Sequence, residues 1–349
     1  GYGVAGSGIY VDPVGHPVRF LETLMVRAPI LLWGQWAWPP PVAWMVLSPR
    51  GRLLLISISL AFAAGLAALI ASLLREWPVA RFFGLGMVLA LVPATTTSPS
   101  GRLLIFVAIG GAGLLALLLA RLGSFWRRGA RPIPRTVAGV TAVGLAGLHL
   151  VVAPASILPL LDVLSGVERA TQQAAASLPS EPVLAGQDLV VVASPMAYLD
   201  ILAWLVRSDD VAPAPRTTLT LWSGMHGAMV HRPDSTTLIV EPRCGFLCPP
   251  DANPGEGKPT PVSLGRLAIS IDRIFRDPVT HPFSEGDRIR LDRVEVEVLT
   301  VKDGRPAKVA FRFPTPLEDP RWRWVRWQEW VYRPFHPPRV GDSTWVATP

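Results

Sequence analysis

Between Leu53 and Leu161 a single acidic residue, Glu76, accompanies four long apolar runs. A helix with water on one side needs a polar face, and these runs have none. The pattern restricts the first half of the chain to a helical bundle solvated by lipid. The first run, Leu53 to Leu74, is 22 residues without a charge, close to the ~20 that cross a hydrocarbon core. Val79 to Pro93 is shorter and spans only if Arg81 reaches the interface along its aliphatic stem. Leu103 to Ala120 lies between Arg102 and Arg121, and Val137 to about Leu161 is long and interrupted by Pro154 and Pro159. About four spans are expected.

Orientation follows from the connectors. Arg121 to Arg135 carries five Arg and no acid, which places it on the cytoplasmic side by the positive-inside bias. The fourth span then delivers everything after about residue 162 to the outside. Arg50 and Arg52, expected outside, run against the bias. Residues 1–180 hold 13 Arg, no Lys and five acids, whereas residues 181–349 are nearly balanced at 20 basic and 21 acidic. The net charge of +7 therefore sits in loops beside apolar spans, and nucleic acid is not an expected partner. The chain starts at Gly1-Tyr2 without Met, which suits a processed or truncated form with further spans upstream.

Upstream of the first span, Ala28 to Pro49 is uncharged but split by Pro39-Pro40-Pro41, which removes three backbone donors and stops a helix. Trp33, Trp36, Trp38 and Trp44 flank the break, the pattern of two short interfacial helices. Gly110, Gly111 and Gly113, then Ala138, Ala142 and Ala146, mark faces where helix backbones can approach. His149 is the one ionisable side chain inside the fourth run.

From about Glu181 the chain changes to short β-like segments separated by Pro and Gly. Asp188–Ser194 reads as a strand and Met196–Val206 as a helix, joined without a glycine-rich phosphate loop, so no nucleotide cofactor is expected. Val294, Val296 and Val298 alternate with Glu295 and Glu297, and Val309, Phe311 and Phe313 alternate with Lys308, Ala310 and Arg312 after Asp303-Gly304. That is a type I′ hairpin with one buried face. The fold class expected is an α-helical membrane bundle with interfacial helices, followed by a soluble β-rich domain, a β-sandwich or α+β. Its boundaries are an external and interfacial segment 1–50, a transmembrane bundle 51–162, a linker 163–187 and an extracytoplasmic domain 188–349.

Residues with chemical potential are few. Cys244 and Cys248, the only cysteines, are expected to form a short-loop disulfide in an oxidising compartment. Zinc would need two more ligands from His226, His231 or Asp234, and the spacing matches no zinc pattern, so no metal is expected. Ser223 and His226 lack the Gly-x-Ser-x-Gly turn of a serine nucleophile. Trp322, Trp324, Trp327 and Trp330 lie among Arg321, Arg323 and Arg326; Trp322, Trp324 and Arg323 would bind sugars or lipid headgroups if exposed, and would be ordinary core or interfacial positions otherwise. Asp12 and His16 stand in a Gly-rich segment where a lipid-linked transferase would place a base or metal ligand; the alternative is a turn begun by Asp12-Pro13.

Three stretches, GYGVAGSGIYVDP, SGRLLIFVAIGGAGLLA and PLEDPRWRWVRWQ, resemble segments of a group of polytopic bacterial membrane proteins that have a β-rich C-terminal domain and no assigned activity. The resemblance implies bacterial origin and one continuous architecture. The function expected is a bacterial inner-membrane protein anchoring an extracytoplasmic domain for interaction or ligand binding, with membrane lipids and an envelope protein or glycan as partners and no cofactor. The alternative is a membrane transferase acting on a lipid-linked substrate near Asp12 and His16. The near absence of polar side chains in the spans favours the non-enzymatic reading.

Overall fold

A computed structural model describes residues 6–7, 9–127, 132–180, 182–207, 214–224, 226–248, 274 and 276–347. The chain divides into two compact units, one over Ile9–Val163 and one over Leu164–Pro349 together with Tyr2–Gly8.

The first unit is helical. Helix α1 (Pro17–Trp36) ends at the proline break, which contains a cis Trp38–Pro39 bond and is followed by the short α2 (Ala43–Val46). The sequence places the first interfacial helix from Ala28, but α1 already starts at Pro17, where proline suits a first helical position and Asp12 closes the preceding turn. Pro49 opens α3 (Pro49–Glu76), with the Ser48 hydroxyl accepting from Gly51 N at 3.2 Å. Then follow α4 (Pro78–Ala94), α5 (Ile105–Arg127) and α6 (Pro132–Gly147). A π-turn over Leu148–Val152 leads to α7 (Ala153–Ala155) and α8 (Ile157–Ser177). Segment 163–187, expected as a linker, thus remains helical as far as Ser177.

Among the described residues, three helical segments are long and apolar enough to cross a membrane: Pro49–Glu76, Gly101–Ser124 and Thr136–Ala155. Pro78–Ala94 is equally apolar but has 17 residues, about 26 Å of helix. Large apolar side chains such as Leu54, Phe82, Phe106 and Val143 point outward, while Leu31, Leu73, Val107 and Leu114 fill the interior. The sole acid of the apolar region is accounted for at the helix ends: Arg121 grips Glu76 with two hydrogen bonds of 2.7 and 2.9 Å.

The glycines of α5 set its distance from α4. A Cβ on Gly110 would lie 2.5 Å from the Phe83 carbonyl and 2.9 Å from Met87 N, and one on Gly113 would enter the Phe83 ring. Backbone cannot retreat as a flexible side chain can. Gly110→Ala is expected to destabilise the bundle by about 2 kcal/mol and Gly65→Ala, with no atom within 4 Å, to leave it unchanged or slightly better. Thermal unfolding of both variants in detergent checks the contrast.

The second unit has two sheets. Strands β1 (Asp188–Val191) and β2 (Thr217–Thr220) are parallel and joined through α9 (Ala197–Arg207). Strand β8 (Trp322–Gln328) runs parallel to β1 and turns back into β9 (Val331–Pro334), so the order is β2-β1-β8-β9. The larger sheet is antiparallel: β3 (Ala228–His231), β4 (Thr237–Pro242), β5 (Arg288–Arg290), β6 (Glu295–Lys302), β7 (Arg305–Arg312) and β10 (Ser343–Val346), ordered β10-β3-β4-β7-β6-β5. Asp303 and Gly304, with φ of 53° and 70°, make the β6–β7 turn. On the outer face of that hairpin Glu297 is held by Arg288 and Arg312.

Alternation along the strands explains the layering. Val190, Val192 and Trp324 face the larger sheet and meet Val230, Leu238, Val240 and Phe311. Leu189, Val191, Val325 and Trp327 face the other way, against Ala174, Leu178, Leu199 and Ala203 of the helices. A strand buried on both faces reads as an unbroken apolar run, as β1 does. The unit is therefore a helical layer, a mixed sheet and an antiparallel sheet. Arg207, buried at the end of α9, donates to Leu178 O at 2.7 Å and so closes the end of α8.

Candidate functional site

Ligand sites in parallel α/β units form where strands end and helices begin. In this chain that place is occupied by Asp200, in the first turn of α9, 4% exposed. Its Oδ1 accepts from the Ser194 hydroxyl at 2.9 Å and from the Tyr332 hydroxyl, and its Oδ2 accepts from the Thr220 hydroxyl at 2.9 Å. These groups come from the ends of β1 and β2 and from β9. Burial pushes the Asp200 carboxyl up to about 6, against the three hydroxyl donors that favour its charge. Tyr332 is pushed upward too, by burial and then by the neighbouring carboxylate. Ser194 is fully buried and donates straight to a carboxylate, with no imidazole hydrogen-bonded to it among the described residues, so the cluster reads as a closed polar lock. Asp200 was legible only as an acid near a helix start; its partners are remote in sequence.

A second constellation arises from the β3–β4 register. Ala228 pairs with Pro242, and continuing the ladder outward brings His226 opposite Cys244. The chain then turns through Gly245 and Leu247, both with positive φ, and returns Cys248 to Cys244 with their Cα atoms 5.8 Å apart and their sulfurs bonded. Gly245 N donates to Pro242 O and Phe246 N to Pro306 O, which anchors the turn to β4 and β7. The ligand atoms of His226, Cys244 and Cys248 all lie within 4.8 Å of one another. His226 Nε2 is buried without a hydrogen-bond partner among the described residues. Burial, and then the charge of Arg243, lowers the His226 pKa.

Beside this turn is an apolar cavity of about 310 Å³. Its walls include Phe246 and Leu247 from between the cysteines, Val296, Val298, Val309 and Phe311 from β6 and β7, and Phe283 and Ile289; Arg276 and Ser223 add polarity. The Arg276 guanidinium sits 3.8 Å from the centre of the Phe283 ring.

The other residues singled out by the sequence have local duties. Asp12 Oδ1 accepts from Val14 N at 2.9 Å in the turn before α1, and His16 flanks the first residue of that helix. Both belong to the helical unit. Trp322 and Trp324 are core residues whose ring edges meet Phe313 at centroid distances of 5.1 and 5.2 Å, and Arg323 is half-buried. His231 Nδ1 lies 2.9 Å from the Ser343 hydroxyl, and Asp234 accepts from Thr236 N at 2.8 Å, so neither joins His226. His149 lies in the π-turn with its ring edge-on to Trp36. No known protein family, curated protein or solved structure matches this chain.

Proposed function

We propose that the chain is a bacterial inner-membrane protein that anchors an extracytoplasmic domain for binding an apolar or amphiphilic ligand. The apolar cavity of about 310 Å³ carries this reading. Its size is that of a small-molecule site, and mainly apolar walls with a few polar groups are the usual composition of one. Arg276 on the wall favours an anionic head, such as a carboxylate, on an apolar tail.

The orientation rests on the arginines of the 121–135 connector, part of which lies outside the described residues, and on Thr136–Ala155 crossing once. It does not depend on whether the shorter Pro78–Ala94 also crosses. Protease added to sealed spheroplasts is expected to cut the second unit and spare the connector; the reverse pattern would overturn the placement.

Ligand binding is tested by titrating decanoate into the full chain in nanodiscs, with empty nanodiscs subtracted. Saturable binding that Val296→Phe weakens by about tenfold or more is expected, because Val296 lines the cavity and the larger ring takes up part of its volume. Heat that tracks the empty discs, or equal binding by the filled variant, rejects the cavity as the site.

A further inference from the structure

We infer that His226, Cys244 and Cys248, in the dithiol form, make a three-ligand site for a thiophilic metal ion of the zinc class. This goes beyond the proposed ligand cavity and does not require it. The β3–β4 ladder brings the imidazole and the first sulfur together from strand ends eighteen residues apart in sequence. The left-handed positions at Gly245 and Leu247 then fold the second sulfur back onto the first. The candidate atoms of His226, Cys244 and Cys248 thus fall within 4.8 Å of one another, and breaking the Cys244–Cys248 bond turns the two sulfurs into thiolates, which with the imidazole are the soft and borderline ligand types that zinc prefers.

His226 supplies the second, independent observation. A buried ring nitrogen without a hydrogen bond is costly, and a disulfide offers it no strong acceptor or donor in exchange. A metal ion bound through that nitrogen would satisfy it. Two thiolates and one imidazole leave the fourth tetrahedral position to water or an exogenous ligand, as in open zinc sites. The sequence alone points away from metal because Cys-x-x-x-Cys is not a familiar pair, and because the third ligand comes from a neighbouring strand that spacing along the chain does not reveal.

The chemistry balances simply. A dithiol reductant gives two electrons and two protons to the Cys244–Cys248 bond and becomes a disulfide itself, leaving two protein thiols. The divalent ion then displaces both thiol protons to solvent as the two thiolates bind. Since Phe246 and Leu247 line the cavity and lie between the two cysteines, the oxidised and metal-bound forms present the cavity wall from the same turn.

The test uses the full chain in detergent, reduced with a non-chelating phosphine and titrated with Co²⁺. Expected are thiolate-to-cobalt charge-transfer absorption and tetrahedral ligand-field bands at one equivalent, both abolished by one equivalent of Zn²⁺, with metal slowing alkylation of both cysteines. His226→Ala should weaken Co²⁺ binding by about 100-fold, and Cys244→Ser with Cys248→Ser should remove the charge-transfer band. The inference fails if reduced wild-type protein alkylates at the same rate with and without metal. It also fails if His226→Ala binds as tightly as wild type, or if the bands survive in the double serine variant. The alkylation comparison needs no variant, so a misfolded substitution cannot hide the answer.

Discussion

Asp200→Ala is expected to lower the stability of the β-rich unit by about 3 to 4 kcal/mol near pH 7, because it strands the buried Ser194 and Tyr332 hydroxyls and the half-buried Thr220 hydroxyl, which now share one carboxylate. The loss should appear in denaturant unfolding of the full chain followed by tryptophan fluorescence, since Trp327 packs edge-on to Tyr332 at a 5.0 Å centroid distance. Asp200→Asn separates the charge from the hydrogen bonds. The folded carboxyl titrates at about 6 against an ordinary value of 3.8. Between these two values the unfolded chain has released the proton and the folded chain still holds it, so stability from this group is full below 3.8 and falls as the pH rises to about 6. The Asn variant, neutral throughout, should therefore gain on wild type by on the order of 3 kcal/mol between pH 4 and pH 7. A difference that stays flat over that range would mean that the carboxyl is not destabilised by burial.

Local pattern carried much of this architecture and little of its chemistry. The β6–β7 hairpin was legible because strict alternation and Asp303-Gly304 are signals held within twenty residues. The break before α2 was legible because prolines lack donors. The apolar runs announced themselves by length, although 17 residues between Pro78 and Ala94 fall short of the usual span. The parallel pairing of β1 with both β2 and β8 was not legible: β8 lies more than 130 residues downstream of β1, and a strand buried on both faces carries no alternation to indicate its neighbours. The same reason hid the site. Asp200 is completed by Tyr332, and His226 meets Cys244 only through the β3–β4 ladder. Both depend on tertiary register rather than on spacing.

Trp324→Ala should cost about 4 kcal/mol, among the largest effects open to a single substitution in this unit. In a strand that opens Trp322-Arg323-Trp324, the Trp face must choose between solvent and core. The structure turns Trp322 and Trp324 toward the space between the sheets and Trp327 toward the helices. Trp324 is 7% exposed, meets the Phe313 ring edge-on, and donates from Nε1 to Leu317 O at 2.9 Å. Truncation removes the ring from between two sheets and leaves that carbonyl without its donor, so the cavity and hydrogen-bond penalties act together. Trp324→Phe keeps most of the volume and loses only the donor, and should cost about 1 to 2 kcal/mol. The ordering Ala, then Phe, then wild type in denaturant midpoint is the expected result. Were the ring instead a stacking platform for sugars or lipid headgroups, both variants would unfold at the wild-type midpoint while losing ligand, and the packing of the two sheets described above would have to be abandoned.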